Sequence, residues 1–524
     1  MDGKRQFLLQ GLLLTAVSLL LRAVGVASQV YISTRIGAEA IGVCSLIGGV
    51  SGFAMTLALS GIQLGCTRLV SEGLGHRNKL LVRRTLTCAI CHALVFGILA
   101  CALLFFGAEM IGSFWLHDLR TVRALRIIAL TLPPTALSSC FSGYFVAVRR
   151  VWKSACVQVA EEILRVVCTM VLLSHTVGGG LESALFSLAL SNAIADTLAC
   201  TAMVVLFICD KSKHLADQAP TDTQGGKISP SYTVVARRLL SVTLPVATAA
   251  YARSGLITLE HMLIPIGLEH FGQAHSTALA SYGTLQSMAL PVVLFPCALL
   301  GSFAGLLIPE LTEAHVRGEN ARIRYVMGRI FLLTLTFSIG VAGVLICFSR
   351  ELGMFLYGSE EAAHYIRILS PLIPVMYMDS ATDAMLKGLG QQVYSMNVNI
   401  ADASVSVLLV WLLLPVYGIR GYVITIYVTE LLNAALSIAR LWEITHLKTH
   451  VCQWVLKPLL AVVLSTAAAR ALLRLLPTAL QNGDRVWELF MHITLACLCY
   501  SFLLLAVGAW RREDRAWLRS FVQK

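Results

Sequence analysis

The sequence predicts an all-α polytopic membrane protein of about 14 transmembrane helices, built as two six-helix lobes in a parallel repeat plus two C-terminal helices. Three observations predict this class. Of 524 residues, 57% are hydrophobic and only 13% are charged, against about 25% charged in soluble domains, and the mean hydropathy is +0.75. A soluble enzyme of this size needs more charge to cover its surface, and a disordered chain carries far less apolar content. Apolar runs of roughly 20 residues, the length a helix needs to cross a bilayer, recur along the whole chain. Finally, the halves share features 241 residues apart: Gly42 with Gly283, Leu59 with Leu300, Ser71 with Thr312 and Glu72 with Glu313.

The runs fall at about 7–31, 39–64, 85–107, 125–148, 155–175, 183–208 and 236–259, then at about 279–308, 327–349, 366–387, 394–417, 420–440, 455–476 and 487–510. Backbone groups in lipid must be satisfied within the segment, so these are helices; the runs are too long and continuous for the alternating strands of an outer-membrane barrel. Arg22 interrupts the first run, which continues to Tyr31. It therefore reads as a membrane span and not as a cleaved leader. The polar stretch 209–235 reads as a flexible cytoplasmic linker. It separates an N-terminal lobe, 1–208, from a C-terminal lobe, 236–441; residues 442–524 are then two accessory helices and a cytoplasmic tail. An even number of spans separates the copies, so both halves have the same orientation, as in parallel repeats.

Lys+Arg 41 against Asp+Glu 29 gives a net charge of +12. With the N-terminus inside, 28 of the basic residues fall in inside segments, 10 at outside positions and three (Arg22, Arg165, Arg253) within spans. This bias predicts both termini in the cytoplasm and accounts for the basic excess without a nucleic-acid partner. The 15 cysteines sit mostly in apolar runs without metal-ligand or paired spacing.

Charges inside spans are the functional candidates, because each is costly unless it meets water, a counter-charge or a substrate. Arg22 lies deep in the first span and Arg253 in the seventh. Guanidinium matches phosphate geometry, so the two could form the positive contacts of one cavity, one from each lobe. The alternatives are snorkelling or, for Arg253, a local link to Glu260, seven residues on and on the same helical face. Glu161, Glu162 and Arg165 open the fifth span. Glu161 and Arg165 are i,i+4 with the acid first, the favourable order, which reads as a satisfied pair or as a substrate contact. Asp379 and Asp383 are i,i+4 on the tenth span, and Asn399 and Asp402 are one turn apart on the eleventh. Either pair could couple transport to Na⁺ or H⁺; the alternative is a wet lining that balances the arginines. Pro133-Pro134 and Pro371 with Pro374 are expected to break helices at corresponding places. Enzyme signatures such as His-Glu-x-x-His and the P-loop are absent from the sequence. His446 and His450 are i,i+4 in a short basic loop without a carboxylate to complete a metal site.

Several segments resemble a known family. Leu59-Ser60-Gly61-Ile62-Gln63-Leu64-Gly65-Cys66-Thr67-Arg68-Leu69-Val70-Ser71-Glu72 is similar to the second-span ending of polysaccharide exporters in the multidrug/oligosaccharidyl-lipid/polysaccharide (MOP) superfamily. Ser142-Gly143-Tyr144-Phe145 and Gln158-Val159-Ala160-Glu161-Glu162-Ile163-Leu164-Arg165 resemble the same family at spans four and five. Met385-Leu386-Lys387-Gly388-Leu389-Gly390-Gln391 and Gly418-Ile419-Arg420-Gly421-Tyr422 resemble its stage V sporulation protein B branch.

The resemblance implies a MATE-like fold, alternating access and export of a lipid-linked saccharide, with a lipid II-type peptidoglycan precursor for spore cortex as the implied cargo. Arg22-Ala23-Val24-Gly25 fits the Arg-x-x-Gly pattern of related lipid II flippases. The implied setting is the bacterial cytoplasmic membrane, with cell-wall synthesis proteins as partners, no nucleic acid, and no cofactor beyond a coupling Na⁺ or H⁺. Rival readings are a drug or organic-cation antiporter of the same fold and a non-transporting scaffold in cell-wall synthesis.

Overall fold

The computed structural model describes residues 2–76, 78–176, 180–214, 231–446, 452–475 and 485–508. Arg77, linker residues 215–230, His450 and the tail beyond residue 508 lie outside the described residues. All described elements are helical. The chain divides into two compact units, Arg35–Ile266 and Met1–Thr34 with Gly267–Lys524. They are called here the 35–266 unit and the 267–524 unit.

Helix α1, Asp2–Leu59, holds the first two apolar runs and bends at Gly37, whose φ of 83° and ψ of 171° no other residue adopts readily. The 35–266 unit continues with α2 (Ile62–Gly75), α3 (Lys79–Met110), α4 (Val122–Ala147), α5 (Val151–Thr176), α6 (Gly180–His214) and α7 (Tyr232–His270), which runs on past its boundary. Small residues let these helices approach closely, as is usual where lipid supplies no hydrophobic drive between them. A Cβ on Gly97 of α3 would stand 2.9 Å from the Pro133 Cα of α4, and one on Gly143 of α4 would stand 2.6 Å from the Gln63 carbonyl oxygen of α2. Ile62, Leu125, Leu132 and Phe145 are fully buried in the resulting core.

The 267–524 unit contains α8 (His275–Gly283), a π-helical turn (Thr284–Ala289), α9 (Leu290–Leu294), α10 (Cys297–Val316), α11 (Asn320–Cys347), α12 (Ser349–Tyr357) and α13 (Glu360–Leu369). It ends with α14 (Ile373–Gly388), α15 (Gln392–Tyr417), α16 (Ile419–Thr445), α17 (Lys457–Leu475) and α18 (Arg485–Ala506). The last two pack on α11 at glycines: a Cβ on Gly343 would meet Val462 of α17 at 2.2 Å, and one on Gly340 would meet Tyr500 of α18 at 2.5 Å. The Tyr500 hydroxyl donates to the Thr336 carbonyl at 2.7 Å.

Nine segments of the described residues are long and apolar enough to cross a membrane, the first of them, Leu20–Gly75, covering the end of the first expected span and all of the second. Four of the 14 expected spans are not single long apolar helices. Helix α5 carries Glu161, Glu162 and Arg165; the stretch 279–308 is divided by the π turn and Pro296; Ser370–Leu372 forms a 3-10 turn inside 366–387; and the apolar part of the 455–476 run is a shorter helix, Cys452–Ala468. Only the second pair of prolines interrupts its helix. Pro371 lies within that turn and Pro374 in the first turn of α14, whereas Pro133 and Pro134 remain inside continuous α4, where Gly97 leaves room for Pro133.

The 241-residue repeat is visible in the backbone. Left-handed turn residues recur at His117 and Gly358 and at Arg149 and Gly390. Asp118 and Ser359 both cap the following helix with their side chains. Helices α3 and α11 start at 79 and 320, and α5 and α15 at 151 and 392. One contact recurs displaced by a helical turn: Thr67 Oγ1 donates to the Gly143 carbonyl at 3.0 Å, and Thr312 Oγ1 to the Gly388 carbonyl at 3.0 Å.

Candidate functional site

The 267–524 unit gathers ionisable groups from four of its helices and from the start of α1. Arg22 is exposed, and within this unit no described carboxylate pairs with it. It acts electrostatically on Cys297, which opens α10, and on Tyr377 of α14. Glu430 of α16 acts on the same thiol, which also hydrogen-bonds Ser380. Glu430 in turn feels Asp379 of α14 and Asp402 of α15. Asn433, one turn beyond Glu430, donates to Asp379 Oδ2 at 3.3 Å. Asp379, Asp402 and Glu430 are therefore three half-buried acids converging from three helices. At membrane depth a group of like charges is costly to keep ionised.

This regroups the cation-coupling candidates read from the sequence. Asp379 and Asp402 come into one cluster. Asp383 does not join it: its carboxylate takes Lys387 Nζ at 2.5 Å and hydrogen-bonds Ser395. Asn399 turns its amide back along α15 to the Ser395 carbonyl at 2.8 Å. Glu430 and Asn433 were not singled out from the sequence, although a lone glutamate in an apolar span is itself a signal.

In the 35–266 unit, Arg165 Nη1 contacts Glu162 at 2.6 Å, and Nη2 contacts Glu161 at 2.6 Å and Asp196 at 3.1 Å. The expected Glu161–Arg165 pair is present, and Asp196 of α6 is a partner that spacing along α5 could not reveal. Arg253 is exposed, with no described carboxylate paired to it in its own unit. Glu260 is half-buried two turns along α7.

The 267–524 unit also holds an almost wholly apolar cavity of about 820 Å³ between α11, α14, α16 and α17, lined among others by Leu335, Ile339, Gly343, Met378, Ile438 and Val462. The proline-broken start of α14 shapes one wall through Pro371 and Pro374. Among the described residues no group of His, Cys, Asp and Glu is arranged to hold a metal ion.

The MatE family pattern matches residues 15–171 and 269–412, once in each half. The chain belongs to the MatE family. Stage V sporulation protein B of Bacillus subtilis (strain 168) is 25% identical over 87% of each chain, and the lipid II flippase MurJ of the same organism is 22% identical over 65% of each. Among solved structures, MurJ in an inward closed conformation superposes with a TM-score of 0.71 over 95% of this chain and 99% of that one, at 12% identity. An inward-facing multidrug resistance MATE family transporter superposes with a TM-score of 0.60 over 83% of this chain and 100% of that one, at 14% identity. This MatE-family chain is thus a multi-pass membrane protein with the fold of these MATE and MurJ structures.

Proposed function

We propose that the protein flips a lipid-linked saccharide, of the lipid II peptidoglycan-precursor type, across the bacterial cytoplasmic membrane by alternating access. The observation that carries this reading is the pairing, within one unit, of an exposed intramembrane guanidinium without a described carboxylate partner and an 820 Å³ apolar cavity. A pyrophosphate head group supplies the counter-charge that Arg22 lacks, which lowers the cost of both charges at that depth. A polyprenyl tail suits a cavity with almost no polar wall. Arg253, Glu161, Arg165 and Glu260 are proposed as substrate contacts of the 35–266 unit on its own, the arginines toward anionic groups and the acids toward saccharide hydroxyls. The names of the relatives support the cargo class, since one is a lipid II flippase and another a sporulation protein. Cell-wall synthesis proteins are the proposed partners, and both termini are placed in the cytoplasm on the charge bias.

Coupling to H⁺ or Na⁺ is proposed at Asp379, Asp402 and Glu430, acids from three helices. The test is head-group translocation of a defined lipid-linked saccharide in proteoliposomes. Replacing Arg22 by Ala should slow flipping at least tenfold while Arg22→Lys retains part of it. Undiminished flipping by Arg22→Ala would sink the reading. The acid-rich clusters are what favour the rival reading, an organic-cation antiporter. Dye efflux that proceeds without any lipid-linked saccharide would decide for it.

A further inference from the structure

A second cavity, of about 600 Å³, lies at one end of the 35–266 unit between the α2–α3 turn and the α4–α5 turn. Its polar wall is made by Ser71, Asn78, Lys79, Arg149, Arg150 and Asp210. Three of these are cations and one is an anion. The anion is already committed: Asp210, its side chain 2% exposed, accepts from Arg150 Nη1 at 2.5 Å, from Lys153 Nζ at 2.5 Å and from the Tyr144 hydroxyl at 3.2 Å. Arg149, exposed at the same wall, takes no part in that group. Helix α3 also begins there, capped by Asn78, whose side chain accepts from the Leu81 N–H at 3.0 Å, and so turns the positive end of its dipole to the same space.

Arg149 adds the deciding observation. It is a left-handed turn residue, with φ of 57°, a conformation that costs a non-glycine residue stability. Its counterpart in the other half is Gly390, with φ of 75°, where the turn is made without that cost. The counterparts of Arg150 and Lys79 are Gln391 and Asn320, both uncharged. The turn thus needs no arginine, and the three charges belong to this half alone. An exposed arginine kept at a strained position, with no described carboxylate to meet it, points to an anionic ligand.

We propose that this cavity binds a phosphate-bearing anion, a phosphomonoester or diphosphate group, between Arg149 and Lys79. Asp210 acts as a positioning residue that holds Arg150 and Lys153. The site is separate from Arg22, which belongs to the other unit. The cavity is larger than a bare phosphate requires, so the group belongs either to a lipid head group or to a soluble phosphate compound.

The experiment uses the full chain purified in neutral detergent, with radiolabelled pyrophosphate as probe. The variants are Arg149→Gly, Lys79→Gln and the pair together, with Arg22→Ala in parallel. Wild type should bind pyrophosphate saturably. Each single variant should weaken binding about tenfold, as loss of a charge-assisted contact does, and added salt should weaken it further. Arg149→Gly should at the same time hold or raise the thermal midpoint, because it restores the glycine of the repeat counterpart; a merely structural arginine would lower it. Displacement of pyrophosphate by phosphatidic acid but not by phosphatidylcholine identifies a lipid source, and resistance to both identifies a soluble one. No saturable binding by wild type, wild-type binding in the folded double variant, or loss only in Arg22→Ala would each overturn the proposal.

Discussion

Substituting Gly343 by Ala tests how the accessory helices are held and what that does to the apolar cavity. The new Cβ would stand 2.2 Å from Val462 Cγ2 and 3.3 Å from both Val462 Cβ and Cγ1. Carbon atoms in contact prefer about 3.5–4.0 Å, so α17 would have to back away by roughly 1 Å or more. Turning Val462 does not relieve the clash, because its Cβ is itself close and its branched χ1 is stiff. Overpacking of this kind costs about 1–3 kcal/mol, offset by about 1 kcal/mol of helix propensity gained over glycine. Gly328→Ala is the control: it lies on the same helix and its Cβ would meet nothing within 4 Å, so only the propensity gain remains. The two variants should therefore differ by about 1–3 kcal/mol in the same direction as the clash.

Thermal midpoints in detergent measure the difference, and Val462→Ala supplies the rescue. The double variant Gly343→Ala/Val462→Ala should recover most of the loss, giving a coupling of about 1 kcal/mol or more. Both residues line the apolar cavity, so Gly343→Ala should also slow transport of a long-tailed substrate more than of a short-tailed one. Equal midpoints for Gly343→Ala and Gly328→Ala, or no rescue by Val462→Ala, would refute the packing on which this rests.

Arg165→Met leaves Glu161, Glu162 and Asp196 without their shared cation; these side chains are 12–26% exposed, so the loss should be about 2–3 kcal/mol, below the value for fully buried pairs. Adding Glu161→Gln and Glu162→Gln should recover part of it in the same thermal assay. Gly37→Ala should cost about 1–3 kcal/mol through the backbone alone, since φ 83° with ψ 171° is closed to alanine while its Cβ would meet nothing within 4 Å; a neutral result would show that the bend is not where α1 holds it. Asp210→Asn should free Arg150 and Lys153 and lower stability by about 1–3 kcal/mol, with a matching rise in the protease sensitivity of the α4–α5 turn.

The membrane class and the repeat were legible because both are written in local composition. Ser71 with Thr312 and Glu72 with Glu313 gave the 241-residue separation, and the turns at Arg149 and Gly390 obey it. The first two runs also anticipated the bend of α1, since they leave a short gap around Gly37. Much less of the candidate site could be read. Spacing along one helix finds i,i+4 partners but not partners on a neighbouring helix, so Arg165 was matched with Glu161 while Asp196 went unnoticed. The same limit applies at α14: Asp379 and Asp383 share a face, yet Lys387, one turn further, takes Asp383, and helix α16 supplies the company of Asp379 through Asn433 and Glu430.

The repeat also brings the two acid clusters into register. Glu161 and Asp402 are 241 residues apart, at the same step of α5 and α15. One turn on, the first half has Arg165 and the second has Ser406. In the 35–266 unit the acid at this position meets a guanidinium at 2.6 Å, and that cation is shared with Glu162 and Asp196. In the 267–524 unit the corresponding acid, Asp402, lies within electrostatic range of Glu430, as does Asp379. A carboxylate already matched to an arginine gains little from a mobile cation, whereas one crowded by like charges at low dielectric gains much. The same step of the repeat carries an acid in both halves, and the residue one turn on, Arg165 in the first and Ser406 in the second, decides whether that acid has a guanidinium on its own helix.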